Sequence, residues 1–289
     1  MKVHVTGGSG FLGGSVIPRL TAAGHEPTAL VRTGASAERV MALGATPIPG
    51  DLDDPASVDA AFAQSEAEVL VNLASLGFGH APTIVAAAEE AGLERAVFIS
   101  TTSIFSRLPT VSKPVRVAAE DTIRASALDW TIIRPTMIYG TSADRNMARL
   151  LRGLRRLPIV PLPGGGTGLQ QPVHVDDLAA AIVGALDRPA TVHRSYDVAG
   201  PQPLTLRTVI EQASGAVDRH PRLVSVPLTP VVGVVRLYEV IASSPRLKWE
   251  QVARLAEDKA VEIGPARADL AFEPRPFAEG IRAEAELLG

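Results

Sequence analysis

The sequence predicts an α/β protein, a doubly wound parallel sheet, in a chain long enough for one large domain or for a domain with a smaller lobe. Three observations lead there. A short apolar-leaning run, Val3-His4-Val5, enters a turn in which Gly7, Gly10 and Gly13 recur at intervals of three. Strand-length apolar runs then alternate with amphipathic, helix-length stretches as far as Pro135. That alternation builds a parallel sheet covered on both faces, with right-handed crossovers. The chain has 289 residues, 46% hydrophobic and 20% charged, so it can bury a substantial core.

The elements follow in order. Leu12, Val16 and Leu20 share one helical face and predict a helix over Phe11–Ala23, closed by Gly24 and strained by Pro18. Glu26–Val31 reads as the second strand, Ala37–Leu43 as a short helix and Ala45–Pro49 as the third strand. Asp53-Asp54-Pro55 starts a helix, because aspartate caps free N–H groups and proline suits the first turn; Val58 and Phe62 form its inner face. Strands at Val69–Ala74, Ala96–Ser100 and Trp130–Pro135 alternate with helices at Thr83–Ala91 and Val115–Ser126. Beyond residue 140 the pattern loosens. Met147, Leu150, Leu151 and Leu154 mark an amphipathic helix, and Pro158–Gly168 reads as a loop. Val173–Leu178 leads into a helix through Leu186, Tyr196–Ala199 reads as a strand, and Leu206–Ala213 and Trp249–Ala256 as helices. The apolar stretch from Val224 to Ile241 reads as lobe core or as a partner surface.

A glycine turn between a strand and a helix lets backbone N–H groups approach a pyrophosphate, with the helix N-terminus aimed at its charge. Its place at the head of an α/β pattern favours a dinucleotide over a plain tight turn. Composition excludes other classes. A net charge of −3 gives no general attraction to nucleic acid. The absence of cysteine removes disulfides, thiolate metal sites and a cysteine nucleophile. No histidines pair at metal spacing, so no metal is expected. No apolar run reaches membrane-span length and no signal-type h-region is seen, so a cytoplasmic location is expected.

Several segments line up with one family: Thr6-Gly7-Gly8-Ser9-Gly10-Phe11-Leu12-Gly13, Gly50-Asp51-Leu52, Val71-Asn72-Leu73-Ala74, Arg134-Pro135-Thr136-Met137-Ile138-Tyr139-Gly140 and His174-Val175-Asp176-Asp177. Over residues 1 to about 215 this resembles the extended and atypical short-chain dehydrogenase/reductase superfamily, which includes nucleotide-sugar epimerases and dehydratases. The resemblance is strongest to the atypical members. It implies a Rossmann cofactor domain in residues 1–140 with parts of 170–200, and a substrate or partner lobe in about 141–170 and 200–289. It also implies that Gly7, Gly8, Ser9, Gly10, Phe11, Leu12 and Gly13 cradle the cofactor, with Asp51 and Leu52 flanking the adenine. Ala74 then runs near the central phosphates and ribose, and Pro135, at the end of the sixth strand, is a further cofactor contact. NAD-binding members place an acid at the end of the second strand. Here Val31 and Arg32 stand there, and an arginine pairs with a 2′-phosphate, so NADP is expected over NAD.

The departures from the family pattern are equally informative. Active members use a Ser/Thr with a Tyr-x-x-x-Lys pair, the tyrosine exchanging a proton with the substrate oxygen. No Tyr-x-x-x-Lys occurs here; Ser112 falls at the tyrosine position and Arg116 at the lysine position. Arg116, always protonated, can hold a ribose or phosphate but not relay a proton. Thr101 matches the serine/threonine position. Tyr139 is the candidate substitute donor and substrate contact, and His174 a candidate substrate contact. Asn146, Arg149 and Arg152, in an arginine-rich stretch, are candidates for a substrate phosphate. Gln170 and Gln171 stand near where nucleotide-sugar enzymes often carry an arginine. Three functions stay open. One is an NADP-dependent oxidoreductase acting on a small carbonyl or activated double bond, and another is a nucleotide-sugar epimerase or dehydratase. The third is a non-catalytic NADP-binding structural or sensor protein. A homodimer or a protein partner also stays open.

Overall fold

The structure, a computed structural model, describes residues 1–108, 110–241 and 249–289. Strands β1 (Lys2–Thr6), β2 (Glu26–Val31), β3 (Thr46–Pro49), β4 (Val69–Asn72), β5 (Arg95–Ile99) and β6 (Asp129–Pro135) alternate with helices α1 (Gly13–Ala22), α2 (Gly34–Ala42), α3 (Pro55–Ser65), α4 (Ala81–Glu90) and α5 (Ser112–Ala125). The lobe and the return to the sheet follow. They comprise β7 (Ile138–Tyr139), α6 (Met147–Leu154), β8 (Ile159–Pro163), β9 (Leu169–Gln170), β10 (Val173–His174), α7 (Val175–Leu186), β11 (Arg194–Val198), β12 (Leu204–Thr205), α8 (Leu206–Ala216), β13 (Arg222–Val226), α9 (Leu228–Ile241), α10 (Trp249–Leu255), α11 (Gly264–Leu270) and α12 (Phe277–Leu287). The main sheet is seven-stranded, in the order β11-β6-β5-β4-β1-β2-β3, and each pairing is parallel. The strand order reverses between β1 and β4, which opens a crevice at their carboxyl ends.

Two apolar layers cover the sheet. Val16, Ile17 and Leu20 of α1 and Leu178 and Ile182 of α7 pack on one face. Phe62 of α3, Ile84 of α4 and Ile123 of α5 pack on the other. Each fully buried side chain of this size contributes about 1.5–3 kcal/mol. A third cluster, with Leu151 and Leu154 of α6, Leu162 of β8, Ile210 of α8 and Ile281 of α12, is the core of the lobe. Val234 and Tyr238 of α9 are exposed, whereas Val235 is buried, so α9 is only partly lobe core.

The structure corrects three expectations. Helix α1 starts at Gly13 rather than Phe11, because Phe11 and Leu12 belong to the glycine turn. It runs through Pro18, which is exposed, so the carbonyl that loses its helical partner faces the solvent side. The proline-rich Pro158–Gly168 stretch is not all loop: Ile159–Pro163 pairs in parallel with Arg222–Val226. Val160 and Leu162 point inward while Pro161 is exposed, and a proline is tolerated in a strand that lacks a second neighbour. Finally, the C-terminal part of the lobe expectation overreaches. Ile263, Ala266, Leu270 and Phe272 join the core of the main sheet, because α11 packs against α7 and β11.

Candidate active site

The glycine turn is shaped by how close backbone must come to backbone. A Cβ on Gly13 would sit 1.9 Å from the Gly8 oxygen, and one on Gly7, at φ +70°, 2.6 Å from the Ala74 nitrogen. Gly8 packs against the Ile17 side chain, Ser9 is half-buried, and Gly10 is exposed at the tip. No side chain caps α1, whose first turn carries no acidic residue, so its N–H groups stay available to an anion. Gly7, Gly10, Phe11 and Leu12 line a cavity of about 310 Å³ at the strand reversal. Its far wall is Thr101, Arg116 and Pro135. Ala74 lies between two lining residues, Leu73 and Ser75, and its oxygen accepts from Asn72 Nδ2 at 3.1 Å. Asn72 Oδ1 in turn accepts from Thr6 Oγ1 at 2.5 Å, which joins the ends of β1 and β4.

Arg32 ends β2 with its side chain 66% exposed, 3.8 Å from Asp51 Oδ2. Beside it Thr33 caps α2, its Oγ1 accepting from Ser36 N at 3.2 Å. A guanidinium, two hydroxyls and a helix N-terminus therefore meet at the end of β2. Leu52 packs against Leu30 and Ile48 at the edge of the sheet. An uncapped helix start and a backbone cradle that a Cβ would fill fit a dinucleotide pyrophosphate.

The second cavity, of about 1020 Å³, shares Thr101, Arg116 and Thr136 with the first. Its remaining walls include Asn146, the segment 102–107 and the polar run from Arg254 to Glu262. Arg116 lies against Gly77, where a Cβ would stand 3.1 Å from the guanidinium, and donates from Nη1 to Ser112 Oγ at 2.6 Å. Burial first, and Arg254 second, lower the Arg116 pKa, yet a guanidinium stays charged. Thr101 Oγ1 accepts from Ser103 N at 3.2 Å, which leaves its hydroxyl proton free to donate.

Behind this junction Glu120 is buried and ties three elements together. It accepts from Ser100 Oγ at 2.6 Å, from Arg134 at 2.9 and 2.6 Å, and from Arg124 at 2.5 Å. Burial pushes its pKa up, but the bonds from Arg134 and Ser100 outweigh that and leave it lowered. The opposite wall is held just as firmly. Glu257 accepts from Ser106 Oγ at 2.8 Å and from Arg107 N at 2.7 Å. Gln170 Oε1 accepts from Lys259 Nζ at 3.1 Å, and Gln171 Oε1 from Val261 N at 2.9 Å.

Sequence-predicted site residues divide accordingly. The structure brings Gly7, Gly10, Phe11, Leu12, Thr101, Arg116, Pro135 and Asn146 to the two connected cavities. It does not bring Tyr139 there. That side chain is fully buried in the lobe core, with its ring edge-on to His174 at 5.3 Å and to Phe277 at 5.1 Å. Its hydroxyl lies where a Cβ on Gly280 would come within 2.3 Å, and burial pushes its pKa up, so it is a poor proton donor. His174 likewise lies outside both cavities, buried, with Nδ1 accepting from Asp176 N at 3.2 Å at the start of α7. Arg149 is exposed and outside both cavities, and Arg152 is exposed with Nη2 on the Ser142 oxygen at 3.0 Å. Ser112 lines neither cavity and serves Arg116. Sequence reasoning missed Arg107, Arg254 and Lys259; the paired glutamines 170 and 171, which hold that wall, were the available signal. Among the described residues no His/Asp/Glu group is arranged for a metal ion, and no helix is long and apolar enough to cross a membrane.

Residues 7–189 match a family described as NAD(P)H-binding. The chain is 28% identical over 242 residues to subunit 9 of the NADH dehydrogenase [ubiquinone] 1 alpha subcomplex of Arabidopsis thaliana, covering 77% of this chain and 60% of that protein. It is 26% identical to the 2-alkyl-3-oxoalkanoate reductase of Stenotrophomonas maltophilia, covering 98% of each. Among solved structures, the NAD complex of UDP-glucose 4-epimerase from Thermus thermophilus superposes with a TM-score of 0.76 at 21% identity, covering 100% of this chain and 99% of that one.

Proposed function

The chain belongs to the NAD(P)H-binding family, and from that premise we propose that it is an NADP(H)-dependent oxidoreductase acting on a small carbonyl or activated double bond. The observation that carries the reading is the continuity of groove and cleft across Thr101, Arg116 and Thr136. A bound nicotinamide supplies a hydride. Thr101 presents a hydroxyl at the junction that can donate to a substrate oxygen, and Arg116 offers a fixed positive charge beside it. The end-to-end similarity to an oxoalkanoate reductase supports a reductase rather than an epimerase. So does the site: removal of a proton from a sugar hydroxyl calls for a base such as tyrosine, and none of the tyrosines lines either cavity.

NADP is the cofactor in this reading, held at its 2′-phosphate by Arg32 with Thr33 and Ser36 at the start of α2. The test is a fluorescence titration with NADPH and NADH. NADPH is expected to bind more tightly by about tenfold or more, as a charged hydrogen bond implies. Arg32→Asp is expected to reverse the order. Equal affinities in the parent protein would overturn the NADP assignment, and failure of both nucleotides to bind would overturn the proposed function. Tight NADPH binding with no turnover on a panel of carbonyls and activated alkenes would also overturn the oxidoreductase reading.

A further inference from the structure

Three cations, Arg116, Arg254 and Lys259, line the cleft, and among the described residues none of them forms an ion pair within 4 Å. Burial lowers the pKa of Arg116 and of Lys259, and Arg254 adds to the lowering of both, although Glu257 opposes it more strongly at Lys259. Arg116 is bonded to a neutral hydroxyl and Lys259 to a neutral amide. Arg254 Nε is buried with no hydrogen-bond partner at all. Leaving a charged donor in that state is costly, and so is holding like charges together away from water.

The nearby acids keep their charge but direct their hydrogen bonds to other groups. Glu257, the one closest in effect to Lys259, accepts from Ser106 and Arg107 N. Asp258 accepts from Leu169 N at 2.8 Å, and Asp197 lies 3.6 Å from Arg134. Glu262 is exposed at the rim. The three cations therefore line the cleft beside its acids without pairing to them within 4 Å among the described residues, and Arg254 keeps a free donor, near the junction with the first cavity.

We propose that Arg116, Arg254 and Lys259 form an oxyanion subsite, so that the substrate is an acid whose carboxylate or phosphate lies close to its reacting carbon. This rests on the reading of the cleft as a substrate site. Arg254 supplies the orphaned donor, Lys259 a point charge held by Gln170, and Arg116 a guanidinium at the reacting end. A short acidic carbonyl compound is the class that satisfies all three at once, because Arg116 belongs to both cavities.

Calorimetric titration of the protein with oxamate, inorganic phosphate and neutral acetamide tests this, with and without saturating NADPH. At least one anion is expected to bind, and acetamide is not. Arg254→Met and Lys259→Met are each expected to weaken the anion about tenfold, as loss of one charged hydrogen bond implies. Arg282→Met, on the exposed face of α12, is expected to change nothing. NADPH affinity in Arg254→Met reports that the variant is folded. Binding of oxamate alone assigns a carboxylate, and binding of phosphate alone assigns a phosphate. Anions that bind no better than acetamide, or undiminished binding in both methionine variants, would overturn the subsite. Anion binding that depends on Arg254 in a protein that ignores NADPH would keep the subsite and remove the cofactor reading.

Discussion

The two cavities, proposed above as cofactor groove and substrate cleft, share a wall but are built in opposite ways. The groove is mostly backbone: a glycine turn, an uncapped helix start and strand ends, all drawn from the first 140 residues. The cleft is mostly side chains, with one wall from residues 101–107 and the other from 254–262. Backbone geometry tolerates almost no substitution but is indifferent to pH. Side-chain walls tolerate substitution but depend on charges and on distant anchors. In the proposed reading, binding of a common cofactor and choice of a particular substrate are thereby separated in the molecule.

The strongest way to break the contrast is on the groove side. Gly13→Ala places a Cβ into the Gly8 backbone, which cannot yield as a side chain would. Overpacking of this kind costs about 1–3 kcal/mol or more, and NADPH affinity is expected to fall at least about tenfold. Nucleotide titration alongside a thermal melt measures both. Unchanged affinity would mean that the turn does not set the groove.

A smaller effect is expected where the lobe supports the cleft. Glu284 accepts from Gly140 N at 2.9 Å, and Asp144 caps α6 just before Asn146. Burial, reinforced by Asp144, raises Glu284 from 4.5 to about 8. Between those pH values the folded protein holds a proton that the unfolded chain releases, so stability falls as pH rises across that window and levels off above it. Glu284→Gln, which copies the protonated acid, is expected to raise Tm by about 2–4 °C at pH 8 and hardly at all at pH 4.5. Its NADPH affinity is expected to stay that of the parent. A Tm gain equal at both pH values would show that the carboxyl does not titrate there.

The smallest effect is expected at Tyr139. Its hydroxyl is buried without a partner, so Tyr139→Phe removes an unsatisfied group. Stability is expected to change by less than about 1 kcal/mol and reductase turnover not at all. A loss of turnover would restore the tyrosine as a proton donor and overturn its placement in the lobe core.

The groove was legible in the sequence because its causes are local. Three glycines, an apolar strand and the start of a helix lie within a dozen residues, and the alternation that follows sets the sheet order. The cleft was not, for two different reasons. Tyr139 stands next to a strand end that faces the ligand crevice, yet a two-residue strand paired with β10 turns the ring into the lobe. Nothing in neighbouring sequence signals that turn. Arg254 and Lys259 lie in a stretch whose composition is that of an ordinary surface helix and loop. Only two buried glutamines far away in the chain make them a wall. The missing Tyr-x-x-x-Lys pair was plain from the sequence, whereas the cations that gather around its position were not.

The glutamine anchors also impose an order of assembly. Gln170 and Gln171 wait for partners that follow them by 85 to 90 residues. During synthesis the strands and helices of the groove emerge and can pair long before that segment exists, since domains form from the N-terminus as the chain grows. The wall of the second cavity, like the share of the sheet core supplied by Ile263, Ala266, Leu270 and Phe272, can thus form only after most of the chain has been made.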